Sequence, residues 1–218
     1  AALETQSGKV AVVTGQPFPS NVNYQYGFES GVNYANKHLG ATAQIVELAS
    51  YAGTDVTGAN VGGNYTGNFS DDVTGKTLGE ALIREGCDII FVAAGASGNG
   101  VFAAAKESGN CMIIGCDVDQ YDDGANGDSN IILTSVLKNM AINVERQLNA
   151  VVDGTFAGGN YTLTAQTDST GYVSAEGRHQ MSAETVSALD ELYPQVKDGT
   201  IVPAANFNGY TPEEFPGL

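Results

Sequence analysis

Two aspartates and a lysine are the residues best placed to do chemistry. Asp117 and Asp119 follow the apolar run 112–116, and Lys138 follows the run 131–136. An ionised carboxylate accepts hydrogen bonds through both oxygens, and an ammonium donates three. Carboxylates at a strand rim therefore suit a ligand with vicinal hydroxyls, and the lysine suits ligand oxygens. Each has a plainer reading. The aspartates could cap a helix or sit solvated, and Lys138 could form a structural ion pair on an acidic surface. Upstream lies a glycine-rich turn, Gly95-Ala96-Ser97-Gly98-Asn99-Gly100, between a strand-like run at 88–94 and helix formers from 101. Glycine allows close approach to the backbone, and a helix N-terminus offers free N–H groups. The spacing is G-x-x-G-x-G, not the dinucleotide pattern G-x-G-x-x-G. The alternative is a tight turn that needs positive φ. Phe18, Tyr24 and Phe69 fall in loops or at a helix start near strand ends, where they could stack on a flat ring or simply pack.

Other chemistry is not supported. His38 and His179 have no nucleophile or acid at a recognisable spacing. The loop 119–130, DQYDDGANGDSN, partly fits a calcium loop through Asp119, Asp123 and Gly124. Tyr121 and Asn130 stand where an oxygen donor and a bidentate Glu are required. Cys87, Cys111 and Cys116 are odd in number, lack CxxC spacing and read as buried apolar residues. No metal, cofactor or catalytic group follows from the residues. The chain is equipped to hold a ligand, not to transform one.

The elements that must position these groups alternate. A strand is expected at 9–14, a helix capped by Ser20 running to about His38, and a strand at 44–49. The first helix should bury Val22, Tyr26, Gly31, Tyr34 and Ala35. Residues 53–70, rich in Gly, Asn and Thr, read as a long loop. A helix to Glu85 follows, capped by Asp71 or Asp72, with Val73, Leu78, Ala81 and Leu82 inward. Then comes the βαβ unit 88–116, a strand at 131–136, and an amphipathic helix at 139–152. Residues 161–165 suggest a strand, and 171–177 have no clear pattern. Ser182 caps a last helix with Val186, Leu189, Tyr193 and Val196 inward, kinked or shortened at Pro194. Residues 201–203 suggest an edge strand, and the tail from 204 looks poorly ordered. Residues 1–7 read as the end of a helix. Strands alternating with helices give an α/β fold with a mostly parallel sheet. Ligands of such sheets bind beyond the strands' carboxyl ends. Asp117, Asp119, Lys138 and the glycine turn all lie at such ends.

Nine basic against 25 acidic residues give a net charge of −16. A nucleic-acid or anionic-membrane surface needs clustered Lys and Arg, so neither partner fits. Only 16% of residues are charged, and 28 are glycine. Such a surface suits an extracytoplasmic protein. No run approaches the ~20 apolar residues of a membrane span.

Four segments together resemble the BMP family of basic membrane lipoproteins, related to purine nucleoside receptors. They are GQPFPSNVNYQYGFESGVNYAN, DIIFVAAGASGNGVFAAAKE, IIGCDVDQ and ILTSVLKNM. The resemblance covers about residues 1–203. It implies a type I periplasmic-binding fold, with two α/β lobes clamping the ligand. It further implies a lipid-anchored, extracytoplasmic solute-binding protein of an ABC importer that meets permease subunits. Asp117 and Lys138 would contact ribose hydroxyls, with Gly95, Ser97, Gly98 and Asp119 in the same cleft. Phe18 or Phe69 would sandwich the purine. On this reading the chain holds one complete lobe, 1–118, and a segment at 119–160 that returns to an N-terminal lobe whose opening part is missing. Residues 161–203 come back to the main lobe, and 204–218 form a tail. The exposed face of helix 139–152 would then seek the missing lobe or a second copy of the chain. The competing functions are a Rossmann-like nucleotide-dependent enzyme and a sugar-binding or signalling relative of the same fold.

Overall fold

Apolar, largely β-branched runs build the sheet because they can be buried on both faces. The computed structural model describes residues 1–218. In chain order the elements are β1 Lys9–Thr14, α1 Pro19–His38, β2 Gln44–Ile45, β3 Gly53–Thr54, β4 Asn60–Gly62, α2 Asp72–Arg84, β5 Ile89–Ala93 and α3 Ser97–Ser108. They continue with β6 Met112–Asp117, β7 Ala125–Asn126, β8 Ser129–Asn130, β9 Ile132–Lys138, α4 Met140–Val152, β10 Thr170–Tyr172 and α5 Ala183–Asp198. The main sheet has six strands in the order β10-β9-β6-β5-β1-β2. Five run parallel, and β10 is antiparallel to β9. The order turns back at β1, with β2 on one side and β5 on the other. The carboxyl ends of β1 and β5 therefore flank a topological switch point, where open α/β sheets bind ligands.

Every residue of β5 is buried. On one face, Ile90 and Val92 meet Leu78 and Leu82 of α2 and Val101 and Phe102 of α3. On the other, Val12, Phe91 and Leu133 meet Val32 and Phe28 of α1 and Leu189 of α5. A side chain such as Leu82, fully buried, contributes about 1.5–3 kcal/mol of transfer free energy. Glycines bring α2 against α3. A Cβ on Gly100 would collide with Asp72 O, and one on Gly75 with Ser97 O.

Several local expectations change. Residues 1–5 form one turn, with the Thr5 N–H bonded to Ala1 O. Phe18, not Ser20, precedes α1, and Pro19 takes the first turn, where its missing N–H costs nothing. The buried face of α1 holds Val22 and Ala35 as expected, but Gln25, Glu29 and Val32 replace Tyr26 and Gly31. Strand pairing at 44–49 ends after Ile45. The 53–70 loop contains the β3–β4 hairpin and buries Asn64, Tyr65 and Thr66. Tyr65 bridges in parallel to Thr14, so the loop extends the sheet at its rim. Val73 of α2 is exposed, and Gly75 and Gly79 take the inner positions that pack on α3.

The glycine turn is shorter than its sequence suggests, because α3 already begins at Ser97. Lys138 lies within β9. Residues 161–165 form no strand, whereas 170–172 do. Pro194 leaves α5 continuous to Asp198. It withdraws one N–H from the carbonyl of Asp190, an exposed residue on the outer side of the helix. Residues 201–203 make no sheet pairing, and the Val202 N–H bonds to Pro216 O. The tail is packed and not loose. Ala204 and Phe215 are buried, and Asn33 Nδ2 donates to Pro212 O at 2.8 Å. Because β9 and β10 belong to the main sheet, that sheet extends past residue 118. Only α4 stands off it, with none of its residues buried.

Candidate ligand-binding cleft

A cavity of about 1000 Å³ opens at the carboxyl ends of β5, β6 and β9. Asn21 and Tyr24 of α1, Phe69, Gly95 and Gly98, Asp117 and Lys138, and Met140 and Val144 of α4 all line it. A second groove, of about 390 Å³, lies between α1 and α5 against the middle of the sheet. It is mostly apolar and offers few groups to orient a polar ligand, so the first cavity is the better candidate.

Asp117 and Lys138 sit on adjacent parallel strands, with Asp117 opposite Leu137 in the register. Lys138 Nζ lies 2.8 Å from Asp117 Oδ1. The Tyr24 hydroxyl donates to the same oxygen at 3.2 Å, and Cys116 Sγ lies 3.6 Å from it. Lys138 Nζ is also 5.9 Å from the centre of the Tyr24 ring. Asp117 has φ 71°, a left-handed conformation uncommon for a non-glycine residue. Its backbone turns there into the loop that carries Gln120, whose Oε1 accepts from the Cys116 N–H at 2.9 Å.

Burial acts to raise the pKa of Asp117. The Lys138 hydrogen bond and charge, with Tyr24 and Cys116, outweigh it and hold the carboxyl below its ordinary value. Burial, then the Asp117 charge, pushes the Cys116 thiol up to about 12, so the thiol stays neutral. Burial, then Cys116 and Asp117, likewise pushes the Tyr24 phenol upward and keeps it a donor. The cleft thus presents a fixed carboxylate beside an ammonium.

Phe69 reaches the rim from the 53–70 loop. Its ring lies against Gly15, where any side chain would collide with it. A Cβ on Gly95, which has φ 57°, would come within 3.1 Å of Phe69 O. Phe18 stacks beside Phe69 with centroids 6.2 Å apart, just outside the cavity lining. Ser97 is fully buried. Its Oγ donates to Asn68 O at 3.1 Å and accepts from the Asp71 N–H at 2.9 Å, clasping the loop that carries Phe69. Asp119 turns away from the cavity, with Arg178 Nε 2.7 Å from its Oδ2. Arg178 also pairs with Asp122, and Asn130 bonds to Tyr121 O and to the Ile132 N–H, so these interactions close the acidic loop.

The structure therefore brings together Phe69, Gly95, Gly98, Asp117 and Lys138, with Phe18 adjacent. It places Ser97 behind the wall and Asp119 outside. Sequence reasoning named Tyr24 only as a stacking candidate and passed over Asn21, Asn99 and Asn143. A usable signal was present. A helix that follows β1 must begin at the carboxyl rim, so polar residues in its first turns face the ligand side.

The chain resembles known proteins along most of its length. Residues 49–202 match the family model described as ABC transporter substrate-binding protein PnrA-like. A CD4+ T-cell-stimulating antigen of Listeria monocytogenes is 31% identical over 212 residues, covering 92% of this chain and 54% of that protein. An ABC transporter nucleoside-binding protein of Lactococcus lactis is 26% identical over 213 residues, with the same coverage of each. An ABC transporter solute-binding protein from Aeropyrum pernix shares the fold, with TM-score 0.70 and 22% identity over 92% of this chain and 58% of that one. The chain spans about half the length of the curated relatives it matches over most of its own length. Its sheet is that of the periplasmic-binding-protein fold, and it belongs to the PnrA-like family of ABC transporter substrate-binding proteins.

Proposed function

We propose that the chain supplies one wall of a cleft that binds a purine nucleoside in the receptor of an ABC importer. The observation that carries this reading is the Asp117–Lys138 pair at the floor of a cavity with Phe69 at its rim. A carboxylate beside an ammonium matches a hydroxyl pair that both donates and accepts, and an aromatic ring matches a flat base. The relative from Lactococcus lactis named as nucleoside-binding supports the same ligand class. Asp117, Lys138, Gly95, Gly98 and Phe69 are the proposed contacts, with Phe18 backing Phe69. Ser97 is proposed as a support, and Asp119 is not retained as a contact.

The second wall belongs to the N-terminal lobe in this reading. α4 is the piece that reaches it, because its apolar face, Met140, Val144, Leu148 and Val151, finds no cover on the main sheet. The receptor works outside the cytoplasm, lipid-anchored, delivers its ligand to permease subunits and performs no catalysis. Calorimetry on the full-length protein with adenosine, guanosine, inosine, ribose and NAD tests the reading. Binding of nucleosides alone supports it. Binding of ribose alone would make this a sugar receptor, and preference for NAD would favour a nucleotide-dependent enzyme.

A further inference from the structure

All the contacts that the protein makes to the Asp117 carboxylate converge on one oxygen. Oδ1 takes the Lys138 ammonium at 2.8 Å and the Tyr24 hydroxyl at 3.2 Å, and the Cys116 thiol lies 3.6 Å away. Oδ2 has no hydrogen-bond partner in the protein, and Asp117 lines the cavity. A carboxylate left to itself rotates about its terminal bond with little preference, so its two oxygens exchange roles. Here one of the groups holding it is rigid. The Tyr24 ring packs edge-on to Phe91, with centroids 5.9 Å apart, and Phe91 is buried in the central strand β5. Lys138, by contrast, is a flexible and half-exposed chain. Its flexible stem lets it leave Oδ1 to meet a ligand oxygen, whereas the Tyr24 ring is held against Phe91.

We propose that Tyr24 is a positioning residue of the cleft. Its hydroxyl pins Asp117 Oδ1 to the sheet side and presents Oδ2 to a ligand hydroxyl, whether or not Lys138 stays in place. The role rests on the proposed ligand class only for what Oδ2 receives. The pinning itself belongs to the ligand-free protein. The titratable groups facing Asp117 are Tyr24 from α1, Cys116 from its own strand and Lys138 from β9. Tyr24 and Cys116 both stay neutral well above pH 7, so Asp117 is the group whose protonation changes in acid.

The test is Tyr24→Phe, which keeps the ring on Phe91 and removes only the hydroxyl. The carboxyl titration of Asp117 is followed by carbon NMR in the ligand-free chain, with Asp117→Asn to assign the signal. Loss of a donor to the carboxylate should raise its midpoint by about 0.5–1 pH unit. In the full-length protein, nucleoside affinity should fall about three- to tenfold, and the acid limb of its pH dependence should move upward by the same amount. An unmoved Asp117 midpoint in Tyr24→Phe overturns the proposal. A raised midpoint in a protein that binds no nucleoside supports the positioning role and overturns only the ligand assignment.

Discussion

Lys138 and Asp117 meet across two neighbouring parallel strands, Nζ to Oδ1 at 2.8 Å, where β9 and β6 leave the sheet. Both side chains are about half exposed. An ion pair so placed adds only ~0–1 kcal/mol to stability. Its value lies in holding two complementary groups side by side at the cavity.

Asp117→Ala and Lys138→Ala should each weaken nucleoside binding by the full-length protein by ~1.5–3 kcal/mol, the range for hydrogen bonds to charged groups. Ligand-free melting temperatures should hardly change. Calorimetry paired with thermal melts checks this, and normal binding by both variants would remove these residues from the site.

Gly15→Val should displace Phe69, because the Phe69 ring occupies the space of any side chain at Gly15. The expected cost to folding is ~1–3 kcal/mol, as for other overpacked sites. Ligand affinity should fall as well. Phe69→Ala should lose affinity with a smaller stability cost, since Phe69 is 36% exposed. Urea titration and ligand binding measured on both variants separate the two effects. An unchanged affinity in Phe69→Ala would exclude base stacking there.

Glu29 should make stability depend on pH near neutrality. It is buried, its Oε1 has no partner, and burial pushes its pKa up to about 8 despite Gln25, with Glu47 and Glu213 adding to the rise. A carboxyl whose folded pKa exceeds its unfolded value binds its proton more tightly when folded. Stability is therefore highest in acid with respect to this group, declines from about pH 4.5 and levels off above about pH 8. The swing is on the order of a few kcal/mol. Glu29→Gln should flatten it. Denaturant midpoints between pH 5 and pH 9 provide the measurement, and a wild-type profile as flat as the variant's would refute the assignment.

The exposed face of α4 should drive association of the isolated chain. Met140, Val144, Leu148 and Val151 are each more than half exposed. The helix is tied to its neighbours through its first half, by Asn139 to Asp168 O, by Ser169 Oγ to Asn143 and by Arg146 to Thr167 O. A contiguous apolar stripe of this kind favours self-association. Sedimentation should show concentration-dependent species that Val144→Asp with Leu148→Asp abolishes. A monodisperse monomer at all concentrations would contradict the expectation.

Much of this protein could be read from its residues alone, for reasons of local physics. Ile89–Ala93 and residues 112–116 are apolar runs of strand length, rich in β-branched residues and bounded by turn residues, and Gly109 and Asp71 mark helix ends by their own conformational and capping chemistry. Asp117 and Lys138 were legible because a polar residue at the end of such a run must emerge at the sheet rim. What only the tertiary structure decided depends on partners distant in sequence. Asp117 and Asp119 look alike along the chain, yet Arg178, 59 residues beyond Asp119, draws that carboxylate out of the cleft. Ser97 lies in the glycine motif, but its hydroxyl is spent on Asn68 and Asp71 of another element. Tyr24 resembles any aromatic on a helix until Phe91 fixes its ring and Asp117, 93 residues later, accepts its hydroxyl bond. The tail carries Pro and Gly that argue for disorder, yet Gly217 packs directly on Ile201, Pro216 O accepts from the Val202 N–H, and Phe215 is buried. Strand and helix identity follow from neighbours a few residues apart, whereas a side chain's role follows from whichever distant group the fold brings within hydrogen-bonding reach.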